Sequence, residues 1–261
     1  MKGGEKMLNK LEIYKNFLDT KRPLEKNIIK KIENDLKTNF IYNTNGIEGN
    51  TLTLRETGVI LEYGVTVKGK PLKEHLEVKG QEYALDFLAQ EVKENSTLSV
   101  KLIKDFHNII LRMTDPEIAG VFKRYNNSIS NSQTKTSSPF HTEEALIKLI
   151  ENYNKSEENI IEKVAKFHAD FEQIHPFVDG NGRTGRLIMN LELMKAGYPI
   201  CIISKEDRLE YYDSLELAQT EKNYSKIINF IENSLEKTFE IYFNHISNDW
   251  KKELENFKNK K

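Results

Sequence analysis

Apolar residues along this chain recur at intervals of three and four far more often than two, the spacing of one face of an α-helix. In ENIIEKVAKFHADFEQIH, residues Ile160, Ile161, Val164, Phe167, Phe171 and Ile174 form one stripe with His168 among them, and Pro176 ends the predicted helix. RTGRLIMNLELMKAGYP repeats the period, with Gly197 at a C-cap and Pro199 just beyond. The same pattern predicts helices over Lys10 to Phe40, Leu52 to Tyr63, Leu72 to Glu94, Leu98 to Met113, Glu143 to Tyr153, Lys205 to Thr220 and Tyr224 to Phe257. Thr53 and Glu56 have capping-box spacing and start the second of these. Between Gly120 and Pro139 the chain turns polar: GVFKRYNNSISNSQTKTSSP, with weak alternation around Ser128, Ile129 and Ser130, predicts a long loop or a short β-hairpin. There is no internal repeat and no low-complexity linker, so the expected fold is all-α, one compact unit with an N-terminal helical extension.

Composition narrows the partners. The 261 residues are 38% apolar, enough for an ordinary buried core. Lys and Arg number 39 against 40 Asp and Glu, which leaves no global field to recruit nucleic acid or an acidic membrane, so an anion site must be local. The single cysteine, Cys201, has no internal partner, and MKGGEKMLNK lacks the apolar region of a secretory signal. A cytoplasmic location is the resulting expectation. The tail KKELENFKNKK, five lysines against two glutamates, reads as a solvated helix end.

The junction between the two clearest helices is HPFVDGNGRTGR, residues 175–186. Gly180, Gly182 and Gly185 spell GxGxxG, but a dinucleotide fingerprint follows a buried strand, and here a helix and a proline precede it. A Walker A reading fails because no Lys-Ser/Thr pair is present. What remains is a glycine loop feeding a helix N-terminus, where backbone N–H groups and the dipole favour a phosphate. Arg183 and Arg186, three apart at the positive end of that helix, oppose the dipole unless an anion compensates them. The plain alternative is a pair of surface arginines bound to glutamates. Asp179 is either a turn residue or a Mg²⁺ ligand beside phosphates. His175 is either a packed helix-end histidine or a general base. A metal hydrolase built on His168, His175 and Asp179 is disfavoured, because two arginines aimed at the site oppose a cation.

HPFVDGNGRTGR resembles the Fic signature HPFx(D/E)GNGRxxR at every defined position. Members of that family are mostly protein adenylyltransferases (AMPylases), which move AMP from ATP to a protein hydroxyl; relatives use other nucleotide donors. The resemblance implies that His175 is the catalytic base and that Asp179 holds Mg²⁺, with Mn²⁺ as an alternative. It also implies that Gly180, Asn181 and Gly182 form the anion nest, continued by Thr184 and Gly185, and that Arg183 and Arg186 hold the β- and γ-phosphates. EDRLEYYDSLELAQ resembles the segment closing over the base, which assigns Tyr211 and Gln219 to adenine. The polar stretch with Ser128, Ile129 and Ser130 corresponds to the family's flap, a hairpin that aligns the target by strand addition, although its end, SNSQTKTSSP, departs from the usual pattern.

FIYNTNGIEGNTLT resembles the family's inhibitory motif (S/T)xxxE(G/N), with Thr44, Glu48 and Gly49 in register. The resemblance implies that Glu48 pairs with Arg186 in the γ-phosphate position; the bland alternative is a Gly- and Asn-rich loop. The expected organisation is an N-terminal helical region over 1–96, a catalytic core over 97–237 and a C-terminal helix with basic tail over 238–261. The leading expectation is an autoinhibited AMPylase acting on a Ser, Thr or Tyr hydroxyl of a target protein or of itself. Its alternatives are a Fic enzyme with another donor or a de-AMPylase, and a non-catalytic module on a Fic scaffold. Whether the chain forms a homo-oligomer is left open.

Overall fold

A computed structural model describes residues 2–259. Eleven α-helices account for the fold of the described residues: α1 Lys2–Asp19, α2 Lys26–Ile47, α3 Leu54–Tyr63, α4 Leu72–Glu94, α5 Val100–Leu111, α6 Thr142–Lys155, α7 Ile160–Ile174, α8 Asn181–Lys195, α9 Arg208–Glu221, α10 Ser225–Ile246 and α11 Trp250–Lys258. The all-α expectation holds. No described helix is long and apolar enough to cross a membrane. Lys260 and Lys261 of the basic tail lie outside the described residues.

Helix α8 is the axis of the bundle. Every residue from Arg183 to Leu193 is buried, because α7, α4, α5 and α2 pack around it. A helix so enclosed must carry its polar groups in bonded form. Asn190 does so, donating to Arg186 O and Cys201 O while accepting from Cys201 N. Gly185 lets α7 approach closely: a Cβ there would sit 2.4 Å from Glu172 Oε1 and 2.9 Å from His168 Cε1. The third glycine of GxGxxG therefore belongs to helix packing.

The ends of the chain come together. Tyr14 and Phe17 of α1, Phe239 and Phe243 of α10 and Trp250 of α11 meet with ring centroids 5.1–6.4 Å apart, mostly edge to face. Such pairs add to the area they bury. Two predicted helices divide in the structure. Lys10 to Phe40 splits at Thr20–Glu25, where Pro23 removes a backbone donor, and Tyr224 to Phe257 splits at Ser247–Asp249. The predicted capping box is present in full, with Thr53 and Glu56 side chains satisfying each other's backbone N–H.

The alternating stretch around Ser128, Ile129 and Ser130 forms no strand among the described residues. Ser132 N donates to Ile129 O at 3.3 Å, and Asn131 takes a left-handed φ of 57° to close the turn. Lys123, Asn127 and Ser137 bond instead to the end of α7 and the loop that follows it.

Candidate active site

Helix α7 is capped by His175 in the left-handed region, φ 49° and ψ 61°, and the chain reverses into α8 over residues 175–180. The reversal is latched internally: Asn181 accepts from Phe177 N and donates to Phe177 O, both at 2.9 Å. Gly180 begins α8 at φ 77°, with Leu111 and His107 so close that a side chain there would crowd both. His107, fully buried on α5, stacks on Phe177 with centroids 3.6 Å apart and planes 7° apart. Its Nδ1 accepts from Gly120 N at 2.8 Å, so Nε2 carries the proton and donates to Asp179 O at 2.9 Å. Burial pulls the His107 pKa down to about 4, which keeps this neutral tautomer at ordinary pH.

The two arginines point inward. Arg186 is 2% exposed; Nε donates to Thr44 Oγ1 at 2.8 Å, and Nη2 donates to Thr44 O at 3.0 Å and to Glu48 Oε1 at 2.6 Å. Nη2 of Arg183 donates to Asp179 Oδ2 at 3.1 Å, and its Nη1 lies 3.7 Å from Glu77 Oε1. Both guanidinium groups remain short of acceptors: Arg186 Nη1 and Arg183 Nε are buried without a hydrogen-bond partner. A buried cation in that condition calls for another anion. A further anion would have to take the place of Glu48 over Gly182, where a Cβ would stand 2.5 Å from Glu48 Oε1 and 3.0 Å from Arg186 Nη1. The Glu48 carboxylate, at the C-cap of α2, occupies that space, with Gly49 turning the chain at φ 98° directly after it.

His175 faces the same loop. Its Nδ1 lies 3.2 Å from Glu172 O, and a carbonyl can only accept, so Nδ1 carries the proton and Nε2 keeps its lone pair. Burial, then the Lys123 cation, hold its pKa below the usual histidine value, against the opposing pull of the Glu172 carbonyl bond, Glu48 and Asp179. The Asp179 side chain is half exposed at the loop's mouth, with Oδ1 accepting from Gly180 N at 2.6 Å. Thr184 is fully buried, its hydroxyl without a partner. His168, His175 and Asp179 do not gather: His168 is enclosed and bonded through Nε2 to Tyr211 OH at 2.6 Å.

Tyr211 and Gln219 are both enclosed. Tyr211 is 1% exposed, and its hydroxyl meets His168 Nε2 at 2.6 Å. The neighbouring Tyr212 is 37% exposed and its hydroxyl reaches Ile47 O at 3.5 Å, beside the Glu48 turn. The rotation of the helix turns one of the two adjacent tyrosines inward and the other toward solvent. Gln219 is also buried, donating to Ala169 O at 3.1 Å and accepting from Thr134 Oγ1 at 2.7 Å, which joins α9 to α7 and the polar segment. Ser128, Ile129 and Ser130 lie near the tip of the polar segment, Ser128 and Ser130 exposed.

Residues that periodicity did not single out complete the site: His107, Glu77, Lys123 and Asn127. Each lies far from the motif in sequence and reaches it only through tertiary packing; the one local signal was the clustering of Asn and Lys in KRYNN.

Fold and loop together define a class, a helical protein whose glycine turn opens a helix N-terminus onto two buried arginines and a histidine. The Fic/DOC family model matches residues 97–193. Protein adenylyltransferase Fic of Drosophila ananassae and that of Drosophila melanogaster are each 37% identical over 206 residues, 77% of this chain and 41% of theirs. The chain thus spans about two fifths of the length of these curated relatives. Residues 134–508 of Fic-1 from C. elegans superpose with a TM-score of 0.83 at 30% identity, over 93% of this chain and 72% of that one. A Fic domain containing signaling protein from Bacteroides thetaiotaomicron gives 0.79 at 27% identity, over 91% and 97%. The chain belongs to the Fic/DOC family.

Proposed function

We propose that this protein is an adenylyltransferase that moves AMP from ATP to a protein hydroxyl, its own included, and that Glu48 restrains it. One observation carries the reading: a histidine with a free Nε2 shares a loop with two buried guanidinium groups that still lack acceptors. The named activity of the Drosophila relatives supports it. In the transfer, the acceptor hydroxyl oxygen bonds to the α-phosphorus, the bond from that phosphorus to the bridging β-oxygen breaks, and pyrophosphate leaves. The hydroxyl proton passes to His175 Nε2. Gly180, Asn181 and Gly182 bring backbone N–H groups and the α8 dipole to the phosphates, and Arg183 and Arg186 neutralise them.

The residues present fit a Mg²⁺ ion. No group of three or more His, Cys, Asp or Glu gathers among the described residues to hold a metal alone, but Mg²⁺ characteristically takes one or two carboxylates plus substrate phosphates. Asp179, half exposed beside the nest, is the carboxylate that would hold it. Bound there, the ion would offset phosphate charge.

The Glu48 carboxylate supports a second reading of the same site. With Glu48 in place it can accept a proton from a water, and the chain would then remove AMP from a modified protein. The test is ATP labelled on the α-phosphate, alongside labelled CTP, GTP and UTP, presented with Mg²⁺ to Glu48→Gly and to Glu48→Gly with His175→Ala. Labelling from ATP should fall by at least about 10² when His175 is removed, with ATP affinity changed only a few fold. Equal labelling by both proteins would reject His175 as the base.

A further inference from the structure

Four consecutive carbonyls of the base's loop accept hydrogen bonds from the polar segment that follows α5. Ile174 O takes Lys123 Nζ at 3.1 Å together with Ser137 N at 3.3 Å and Ser137 Oγ at 2.9 Å. His175 O takes Asn127 Nδ2 at 3.1 Å, Pro176 O takes Lys123 N at 2.9 Å, and Phe177 O takes Asn127 Nδ2 at 2.9 Å. At the centre stands His175 with its left-handed backbone, a conformation that a side chain rarely adopts unless its surroundings impose it. The imidazole itself has only the long 3.2 Å bond to Glu172 O, so its direction follows from the backbone that carries it.

The chain of donors is ordered in one sense. Lys123 is 3% exposed, and an ammonium can only donate; it donates to Asn127 Oδ1 at 2.8 Å. That bond forces the Asn127 amide to turn Nδ2 toward the loop, where its two hydrogens span His175 O and Phe177 O. Thr136 Oγ1 donates to Asn127 O at 2.7 Å and ties the returning half of the segment to the same residue. The polar segment is thus the second wall of the turn that presents the base.

We propose that Asn127, oriented by Lys123, is the positioning residue of His175: it fixes the backbone turn that aims Nε2 at the incoming hydroxyl. The inference rests on the AMP-transfer reading for its kinetic consequence. Asn127 touches neither the nest nor the arginines, so it acts on the transfer rate and leaves nucleotide binding alone. Asp at this position keeps the shape, loses the donor and sets a carboxylate against two carbonyl oxygens.

The test uses the full chain carrying Glu48→Gly as parent, self-labelling from α-labelled ATP, and Asn127→Asp and Asn127→Ala in that parent. Both should label about 10- to 100-fold more slowly at saturating ATP, the scale expected when a base is misplaced by about 1 Å. The ATP concentration giving half the maximal rate should stay within about twofold. Lys123→Met should show a smaller loss in the same direction, and Lys123→Arg, which keeps a buried donor, should restore the rate. Diethyl pyrocarbonate modification of His175, followed by mass spectrometry, needs no turnover and should accelerate in both Asn127 variants. Folded variants that label within about twofold of the parent would overturn the proposal. So would a loss in which the half-saturating ATP concentration rises in proportion, because that marks general loosening of the loop. A parent that does not label rejects the AMP-transfer reading instead, and unchanged modification of His175 would still reject the role of Asn127.

Discussion

The loop at 175–186 is held from two sides by different kinds of contact. On the N-terminal side, α2 and α4 meet it with charge: Glu48 on Arg186 and Glu77 beside Arg183. On the other side, the segment at 123–137 meets it with hydrogen bonds to main-chain carbonyls. On the proposed reading, a carboxylate on an arginine stands where a phosphate would stand, so substrate would exchange for the first set. The second set joins main-chain carbonyls to Lys123, Asn127 and Ser137 and includes no carboxylate for a phosphate to replace. On that reading, restraint and alignment are separated: one wall would yield to ATP, and the other would keep the base in place.

The two inner glycines of α8 sharpen that division. Gly182→Ala places a methyl group in the space shared by Glu48 and Arg186, 2.5 Å from the carboxylate oxygen. It should weaken ATP binding by about tenfold or more, measured by isothermal titration, because an anion in that space loses its seat. Gly185→Ala collides with Glu172 and His168 on the packing side. Its expected effect is on stability, about 1–3 kcal/mol in a denaturant titration. If Gly185→Ala weakened ATP binding as much as Gly182→Ala at full folding, the division between anion seat and packing contact would be wrong.

The smallest expected effect concerns Tyr211. Tyr211→Phe removes one buried hydroxyl from His168 and should cost about 1 kcal/mol of stability, with ATP and ADP affinity unchanged. A tenfold loss of affinity for both nucleotides would support the base-binding role that the family resemblance assigns to Tyr211.

Much of this arrangement was legible before folding. Helical spacing located α4 at its observed ends, Leu72 to Glu94, because an apolar stripe and polar flanks act locally. The break at Pro23 was equally local and was overridden by the apolar period on both sides of it. The glycines, arginines and histidine of 175–186 stood out in the sequence because their chemistry conflicts with an ordinary helix start, and the structure brings them together. His107 and Asn127 were not readable, since each acts through a partner about 50–70 residues away that only packing brings near. Tyr211 shows the same limit at closer range: which of two adjacent tyrosines faces inward depends on the rotation of α9 against α7 and α10.

The central claim is that Glu48 holds the arginine that ATP needs. Arg186, buried and held charged by burial-opposing contacts with Glu48, accepts one anionic partner over Gly182 at a time, and Glu48 is tethered to the same chain, which gives it a high effective concentration. Labelling from ATP carrying its label on the α-phosphate should be compared in wild type, Glu48→Gly, and Glu48→Gly with Arg186→Ala. The single variant should label at least about tenfold faster than wild type, as expected when a tethered competitor is removed, and the double variant should lose that gain. A Glu48→Gly protein no faster than wild type, under conditions where His175 is required for labelling, would contradict the account.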